Sequence, residues 1–355
     1  MNRMIDLRSD TVTMPTDEML KAISSAKLGD DVFQEDPTVN KLEKKAANML
    51  GKEAGLLVPS GTMGNLVSIL THCERGTEIL LGNKSHTFYY EVGGISAFGG
   101  IHSRQLENQL DGTININDIQ TAIRVDNVHF PKTSAITLEN THNLCNGSPL
   151  SANYIKDVAQ IAKNNDLKLH IDGARIFNAA VALDVDVKDL AVDADSITFC
   201  LSKGLSSPIG SVICGNEDFI YRARRNRKAL GGGMRQAGII AAPGIVSLDR
   251  MIEQIRKDHE NTQLLTVGIA NIDGLSVDME NIKSNILYFD IEKGKSRSKA
   301  LSGQTLNKDF YPFDIILDNI YFLETSPDRF RLVTHYGISQ EDVETTLTIL
   351  KEMVI

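Results

Sequence analysis

The sequence predicts an α/β protein built on a mostly parallel sheet, followed by a second, smaller unit. Three observations carry this. Lys168-Leu-His-Ile-Asp172 and Ser196-Ile-Thr-Phe-Cys-Leu201 are short apolar strands with the helical pattern Ile176–Leu183 between them, which makes a strand, helix, parallel strand crossover. Further strands at Ala54–Val58, Glu78–Leu81 and Ser134–Leu138 alternate with helical patterns. From about Ile255 that alternation stops, and a chain of 355 residues exceeds what one core usually fills.

Composition narrows the class. With 42% hydrophobic and 23% charged residues the chain is globular, and a net charge of −9 argues against a dedicated nucleic-acid binder. The basic cluster Arg222, Arg224, Arg225, Arg227 and Lys228 follows a helical pattern and is expected to form a solvated face. The first residues carry charges where a signal peptide needs an apolar core, and no apolar run reaches membrane-spanning length, so a cytosolic protein is expected. The 4 Cys include no Cys-x-x-Cys pair, and His142 and Cys145 have no second pair to complete a metal site; reduced thiols and no metal are expected.

In chain order, Ile5–Met14 is a polar, extended arm carrying Arg8 and Ser9, ended by Pro15 and followed by a helix over Asp17–Ala26. The acidic loop Gly29–Pro37 closes with Asp36 as N-cap and Pro37 at the first helical position. That helix should bury Val39, Leu42, Ala46 and Met49, and Gly51 ends it. The strand Ala54–Ser60 then passes through Gly61-Thr62 into a helix. Such a turn aims free backbone N–H groups and the positive end of the helix dipole at one point, with hydroxyls beside them, and so forms a phosphate cup. It lacks the Gly-Lys-Ser/Thr ending of a nucleotide loop and suits one small phosphate.

The strand Glu78–Leu81 leads to Ser85-His86, and Ser134–Leu138 leads to Glu139-Asn-Thr-His142-Asn143, so both histidines lie just past strand ends. An imidazole there can stack on a flat ligand or serve as a base near neutral pH. His170, two residues before Asp172 on one strand face, stands behind that acid. Beyond Lys203 come a strand at Ile209–Cys214, the basic helix, and Gly231-Gly-Gly-Met-Arg235-Gln236, which opens a long apolar helix through Ser247 kinked at Pro243. A further helix, an extended Ser284–Asp290, a basic Ser/Gly-rich stretch from Lys293 to Gly303, the segment Phe330–His335 and a helix from Gln340 complete the chain.

Asp172 and Lys203 thus end neighbouring parallel strands at the carboxyl edge of the sheet, where open α/β sheets bind their ligands. An amine and an acid so placed suit pyridoxal phosphate, which is held as a Schiff base on a lysine with an acidic partner at its ring nitrogen. A structural ion pair accounts for the two residues equally well.

Taken together, Asp6-Leu-Arg-Ser-Asp-Thr-Val-Thr13, Gly29-Asp-Asp-Val32, Asp36-Pro-Thr38, Pro59-Ser-Gly-Thr62, Glu139-Asn-Thr-His-Asn143, Asp172-Gly-Ala-Arg175, Leu201-Ser-Lys-Gly204, Gly231-Gly-Gly-Met-Arg-Gln236 and Arg331-Leu-Val-Thr-His335 resemble the L-threonine aldolase family of the low-specificity type. These are fold-type-I pyridoxal phosphate enzymes that split β-hydroxy amino acids into glycine and an aldehyde. The resemblance runs from Ile5 to about Asn261 and returns at Arg331. It implies a large cofactor-binding domain over 20–254, its mostly parallel sheet sandwiched by helices, a small α+β domain over 255–355, and an arm, 1–19, that joins the small domain.

Carried over position by position, the resemblance makes Lys203 the Schiff-base lysine, pairs Asp172 with the ring nitrogen and stacks His86 on the ring. It puts the cofactor phosphate on Ser60, Gly61 and Thr62, the substrate carboxylate on Ser9, Arg175 and Arg331, with Arg175 also bordering the cofactor, and His142 near the substrate hydroxyl. Lys228 and Arg235 would reach the cofactor phosphate of a neighbouring subunit, in a dimer with shared sites or a tetramer. The implied reaction is cleavage of L-threonine or L-allo-threonine to glycine and acetaldehyde. Transamination or β-elimination on a small amino acid is the alternative, since either uses the same Lys, Asp and Arg. The chain departs from the family at Phe33, Gln34 and Pro243, and its stretch 293–325 has no match.

Overall fold

A computed structural model of the chain describes residues 3–296 and 313–354. The arm contributes a two-residue strand, β1 (Ile5–Asp6). The main sheet is built from β2 (Ala54–Val58), β3 (Glu78–Gly82), β4 (His102–Leu106), β5 (Thr133–Glu139), β6 (Lys168–Asp172), β7 (Ser196–Cys200) and β8 (Ser211–Gly215). Its 7 strands run in the order β2-β8-β7-β6-β5-β3-β4. The pairs from β7 through β4 are parallel, and β8 runs antiparallel to both of its neighbours.

Strand alternation sends side chains to two cores. Leu80, Ile136, Leu138, Leu169, Ile171, Ile197 and Phe199 face one cluster of buried residues, packed under the helices Pro37–Met49, Ala152–Asn164 and Ile176–Leu183. Ile79, Leu81 and Ala135 face the other way, against Leu66 and Ile69 of the helix Gly61–His72. Every residue of β3, β7 and β8 is buried, as strands covered on both faces must be, which is why they read as continuous apolar runs. The expected cap at Asp36 is present: its carboxylate accepts the N–H groups of Thr38 and Val39, with Pro37 in the first turn. Met49 is only half-buried, and Leu50 fills the core in its place.

The second sheet has 6 strands: β1, then β9 (Leu275–Val277), β10 (Ile286–Ile291), β11 (Phe313–Leu317), β12 (Ile320–Ser326) and β13 (Arg329–Val333). Its order is β1-β12-β13-β10-β9, with β11 beside β12, and only β1 pairs in parallel. Phe289, Phe322 and Phe330 cluster in its core beside Ile5 and Leu7 of the arm. The stretch Lys293–Gly303 lies, from residue 297 on, outside the described residues.

Two readings of the sequence are corrected. The apolar helix does not end at Ser247: Gly238–Val246, with Pro243 inside it, runs through a π-helical turn at Ser247–Met251 into Ile252–Ala270. The pattern change at Ile255 therefore falls within one helix, whose Ile255 packs in the first core and whose Leu265 and Ile269 pack in the second. The basic helix, Glu217–Ala229, is a solvated face only in part. Arg227 is buried, donates to Leu57 O and pairs with Asp31 at 2.6 Å, while Arg224 pairs with Glu43 at 2.9 Å. Helical spacing turns these two inward toward the acidic loop and leaves Arg222, Arg225 and Lys228 exposed.

All 4 cysteines are free and buried. Among the described residues no helix is long and apolar enough to cross a membrane.

Buried neutral histidines give the fold a pH signature. Burial pulls His259 down to about 4 while its Nε2 sits 3.2 Å from Asn178 Nδ2. Below about pH 6.5 the unfolded ring takes a proton that the folded ring refuses until about 4, so this contribution to stability is lost as pH falls through that window. His259→Gln keeps an acceptor for Asn178 and cannot titrate. In urea unfolding between pH 7 and 5, the parent should lose about 2 kcal/mol more than the variant; parallel losses would place the ring in solvent.

Candidate active site

Register sets the site. Glu139 of β5 lies opposite Asp172 of β6, so these two strands finish level, while Asp172 lies opposite Thr198 and β7 runs on to Cys200 before Lys203. Asp172 is buried; its Oδ1 accepts the Ala174 N–H at 3.1 Å and its Oδ2 accepts from Asn65 Nδ2 at 2.8 Å. Asn65 belongs to the helix Gly61–His72, and the same Nδ2 donates to Glu91 Oε1 at 2.8 Å. Glu91 in turn holds His86 Nδ1 at 2.9 Å.

Both histidine loops hang on one carboxylate. Glu139 accepts the backbone N–H of His86 at 2.7 Å with one oxygen and that of Asn143 at 2.8 Å with the other. Burial opposes a charge on His86, but the hydrogen bond it donates to Glu91 and the fields of Asp172 and Glu139 outweigh it, and the ring's pKa is raised above its ordinary value. His142 is 1% exposed, and among the described residues neither ring nitrogen has a hydrogen-bond partner, although Nε2 lies 3.9 Å from Glu139 Oε2. Gly112, at φ +84, passes so close over it that a Cβ there would lie 2.8 Å from His142 Cβ.

Lys203 follows β7, with its carbonyl accepting from Thr13 Oγ1 at 3.1 Å. Its Nζ makes no hydrogen bond or ion pair among the described residues, and the static pairing with Asp172 that would explain both residues structurally is not formed. Arg175 is buried and donates from Nε and Nη2 to Asp10, each at 2.7 Å. The charges of Arg175 and Lys203 overcome the burial of Asp10 and hold its carboxyl well below the usual range. Arg331 donates to Asn143 Oδ1 at 3.2 Å and to Arg8 O at 2.9 Å, and its Nε has no partner. Ser9 caps the short turn Asp10–Val12 through Thr11 N–H. Through Arg8 and Asp10, the arm thus gathers Ser9, Arg175 and Arg331 beside the sheet edge.

The cup forms where β2 enters the helix. Ser60 Oγ accepts the Met63 N–H, and the first helical bond is Gly64 N–H to Ser60 O at 3.0 Å, so the N–H groups of Gly61 and Thr62 precede it. A Cβ on Gly61 would lie 2.8 Å from Cys200 Sγ, which lets the turn press onto β7. Buried polar atoms without partners collect along this edge: Glu91 Oε2, Thr141 Oγ1, both nitrogens of His142, Ser206 Oγ, Ser207 Oγ and Arg331 Nε. Buried polar groups are nearly always hydrogen-bonded, so such a cluster fits a polar ligand.

Lys228 and Arg235 stand apart. Arg235 pairs with Asp30 at 3.0 Å, and its carbonyl accepts the Asp31 N–H. Lys228 is exposed and lines a cavity of about 840 Å³ between the helices Pro37–Met49 and Glu217–Ala229, away from the sheet edge. No hydrogen bond or ion pair ties either to the other site residues. Sequence reasoning missed Asp10, Asn65, Glu91 and Glu139. Of these only Glu139 and Asp10 carried a signal, by lying within the motifs around His142 and Ser9.

The chain matches the beta-eliminating lyase family over residues 6–292. It is 43% identical to low-specificity L-threonine aldolase 1 of Arabidopsis thaliana, over 99% of this chain and 97% of that protein. It is 40% identical to the low specificity L-threonine aldolase of Escherichia coli (strain K12), over 96% of each. Among solved structures, a threonine aldolase from Leishmania major superposes with a TM-score of 0.78 at 18% identity, over 98% of each chain.

The Asp10–Arg175 pair generates a stability prediction. Asp10→Ala leaves a buried guanidinium without its carboxylate and should cost about 3–5 kcal/mol, whereas Asp10→Leu combined with Arg175→Met should recover most of the loss. Urea unfolding of both variants checks this; additive losses in the double variant would mean that the two side chains do not act as a pair.

Proposed function

Because the chain belongs to the beta-eliminating lyase family and aligns along nearly its whole length with low-specificity L-threonine aldolases, we propose that it cleaves L-threonine and L-allo-threonine at the Cα–Cβ bond, giving glycine and acetaldehyde. The observation that carries this reading is the carboxyl edge of β5, β6 and β7, where a buried carboxylate at Asp172 and an unpaired amine at Lys203 accompany polar atoms lacking partners.

Pyridoxal 5'-phosphate, when bound, supplies an electron sink beside the substrate's Cα. The residues fit it: Lys203 would hold it through its amine, Asp172 at the ring nitrogen, His86 across the ring face, and Ser60, Gly61 and Thr62 at the phosphate. Two N–H donors, from Asn65 and Ala174, fix the orientation of the Asp172 carboxylate. Arg331, Arg175 and Ser9 grip the substrate carboxylate, and that grip orients the scissile Cα–Cβ bond. Arg175 already gives two of its N–H groups to Asp10, so Arg331, with its free Nε, takes the larger share of the carboxylate. His142, enclosed and with neither nitrogen hydrogen-bonded among the described residues, is assigned to the proton of the β-hydroxyl. That proton leaves as the bond breaks, the aldehyde departs, and a proton added at Cα completes glycine.

The enzyme works in the cytosol as a homo-oligomer, a dimer with shared sites and further a tetramer. Support comes from Lys228 and Arg235, which lie away from their own chain's edge, and from the exposed apolar residues next to the His86 loop, where Tyr89, Val92 and Phe98 are 62%, 97% and 65% exposed.

Incubation with L-threonine, with product identified by separate aldehyde and keto-acid assays, should yield acetaldehyde and glycine in equal amounts. A keto acid in place of the aldehyde would replace aldol cleavage by elimination or transamination. Sharing of sites is checked by mixing Lys203→Ala with Arg235→Ala under conditions that exchange subunits. One site of each mixed dimer regains both residues, so activity should rise above that of either parent. With exchange verified by a labelled subunit, no rise would return Arg235 to its own chain.

A further inference from the structure

A continuous file of buried polar side chains runs away from Asp172 into the sheet. Asn65 Nδ2 lies 2.8 Å from Asp172 Oδ2 and 2.8 Å from Glu91 Oε1, and Asn65 Oδ1 lies 3.2 Å from His170 Nε2. His170 Nδ1 is 2.8 Å from Ser196 Oγ, which is 2.7 Å from His72 Nε2. Asn65, His170, Ser196, Asp172 and Glu91 are all buried, and His72 stacks on Phe219 with ring centroids 4.5 Å apart.

We propose that Asn65 is a positioning residue for both acids, held in one orientation by a one-way hydrogen-bond chain that begins at His72. The direction follows from donor counting. An amide nitrogen has two N–H groups, and here each has a carboxylate to meet; turning the amide over would aim its oxygen at two anions. With the nitrogen committed, Oδ1 must be an acceptor, so His170 Nε2 carries the proton. A neutral ring protonated there has a bare Nδ1, which accepts the Ser196 hydroxyl. That hydroxyl has no second proton, so Ser196 Oγ accepts from His72 Nε2–H. Every link has one allowed sense. Burial pulls His170 down to about 4 and His72 well below the usual histidine range, which keeps both rings neutral and the sense intact near pH 7.

The consequence reaches the chemistry from two sides. Asp172 receives its second donor, beside the Ala174 N–H, and so is fixed in rotamer. Burial pushes the Glu91 carboxyl up, the Asn65 donor opposes that shift, and Glu91 Oε1 accepts from His86 Nδ1. One amide therefore couples the residue assigned to the cofactor's ring nitrogen to the residue assigned to its ring face.

This inference rests on the proposed cofactor reading, and two measurements separate the two. In the ¹⁵N-labelled, cofactor-loaded protein at pH 7, long-range ¹⁵N–¹H correlation should find His170 as the Nε2–H tautomer with a bare Nδ1. The Nδ1–H tautomer or a doubly protonated ring would overturn the chain and leave the cofactor assignment standing. Failure of the parent protein to take up pyridoxal phosphate would sink that assignment without touching the tautomer. In Asn65→Leu, of similar volume, Glu91 and Asp172 lose a donor, so the His86 titration should fall by about 1 unit and pyridoxal phosphate should bind at least about tenfold more weakly. A folded Asn65→Leu with an unmoved His86 titration would overturn the coupling. Should that variant fail to fold, the tautomer of the parent decides alone.

Discussion

The Asp10–Arg175 pair joins the three parts of the chain that must meet for a site to exist. Asp10 comes from the arm, Arg175 follows β6 of the main sheet, and Asn285, just before β10 of the second sheet, donates to the same Asp10 oxygen at 3.1 Å. A buried ion pair seldom adds much net stability, because desolvation cancels most of the attraction. Its value here is placement. With the pair formed, β1 reaches β12, Arg8 offers its carbonyl to Arg331, and Thr13 reaches the carbonyl of Lys203. A two-residue strand has too few ladder bonds to hold the arm in register unaided, so the ion pair and β1 act as two anchors of one segment.

Acids and donors at the edge are disposed differently. Asp10, Glu139 and Asp172 each direct both oxygens to protein donors, and Glu91 directs one oxygen to two. Lys203 Nζ and Arg331 Nε have none of their capacity used in this way. Fixed negative charge is thus consumed inside the protein while positive donors remain for a ligand. A ligand with a carboxylate and a phosphate is matched by such an edge, and a cationic one is not.

Much of the fold was legible because its strands are covered on both faces. The short, largely buried strands β6 and β7 could be placed with the helix between them, and the charged residues at and just past their ends located Asp172 and Lys203. What stayed hidden involves single polar residues paired across long separations. Asn65 lies in a helix whose apolar pattern gives no reason to notice one amide, and Glu91 acquires meaning only when folding sets it against Asn65 and His86. Arg227 was misread for the same reason: charge along a helix looks solvated until Asp31, far away in sequence, is found facing it. The second sheet was harder, since β11 and almost all of β12 lie in the stretch 293–325 that matches no motif.

The cup at Ser60–Thr62 leaves one electrostatic question that a single chain answers incompletely. Backbone N–H groups and a helix dipole amount to about half a unit of positive charge, whereas a phosphate monoester near neutral pH carries close to two negative charges. Of the fixed cations of the edge, Arg175 is neutralised by Asp10 and Arg331 is assigned to the substrate carboxylate. Arg227, close in sequence to the glycine-rich turn, is neutralised by Asp31. Of the basic residues around that turn, Lys228 is exposed, and Arg235 is held only by an exposed pair with Asp30, which water and salt weaken. An exposed pair of that kind is readily exchanged for a phosphate, whereas the buried pair at Arg227 is not. The charge that completes the cup is therefore best supplied by groups whose present engagement is weak, and in the proposed shared site these are Lys228 and Arg235 of the neighbouring copy.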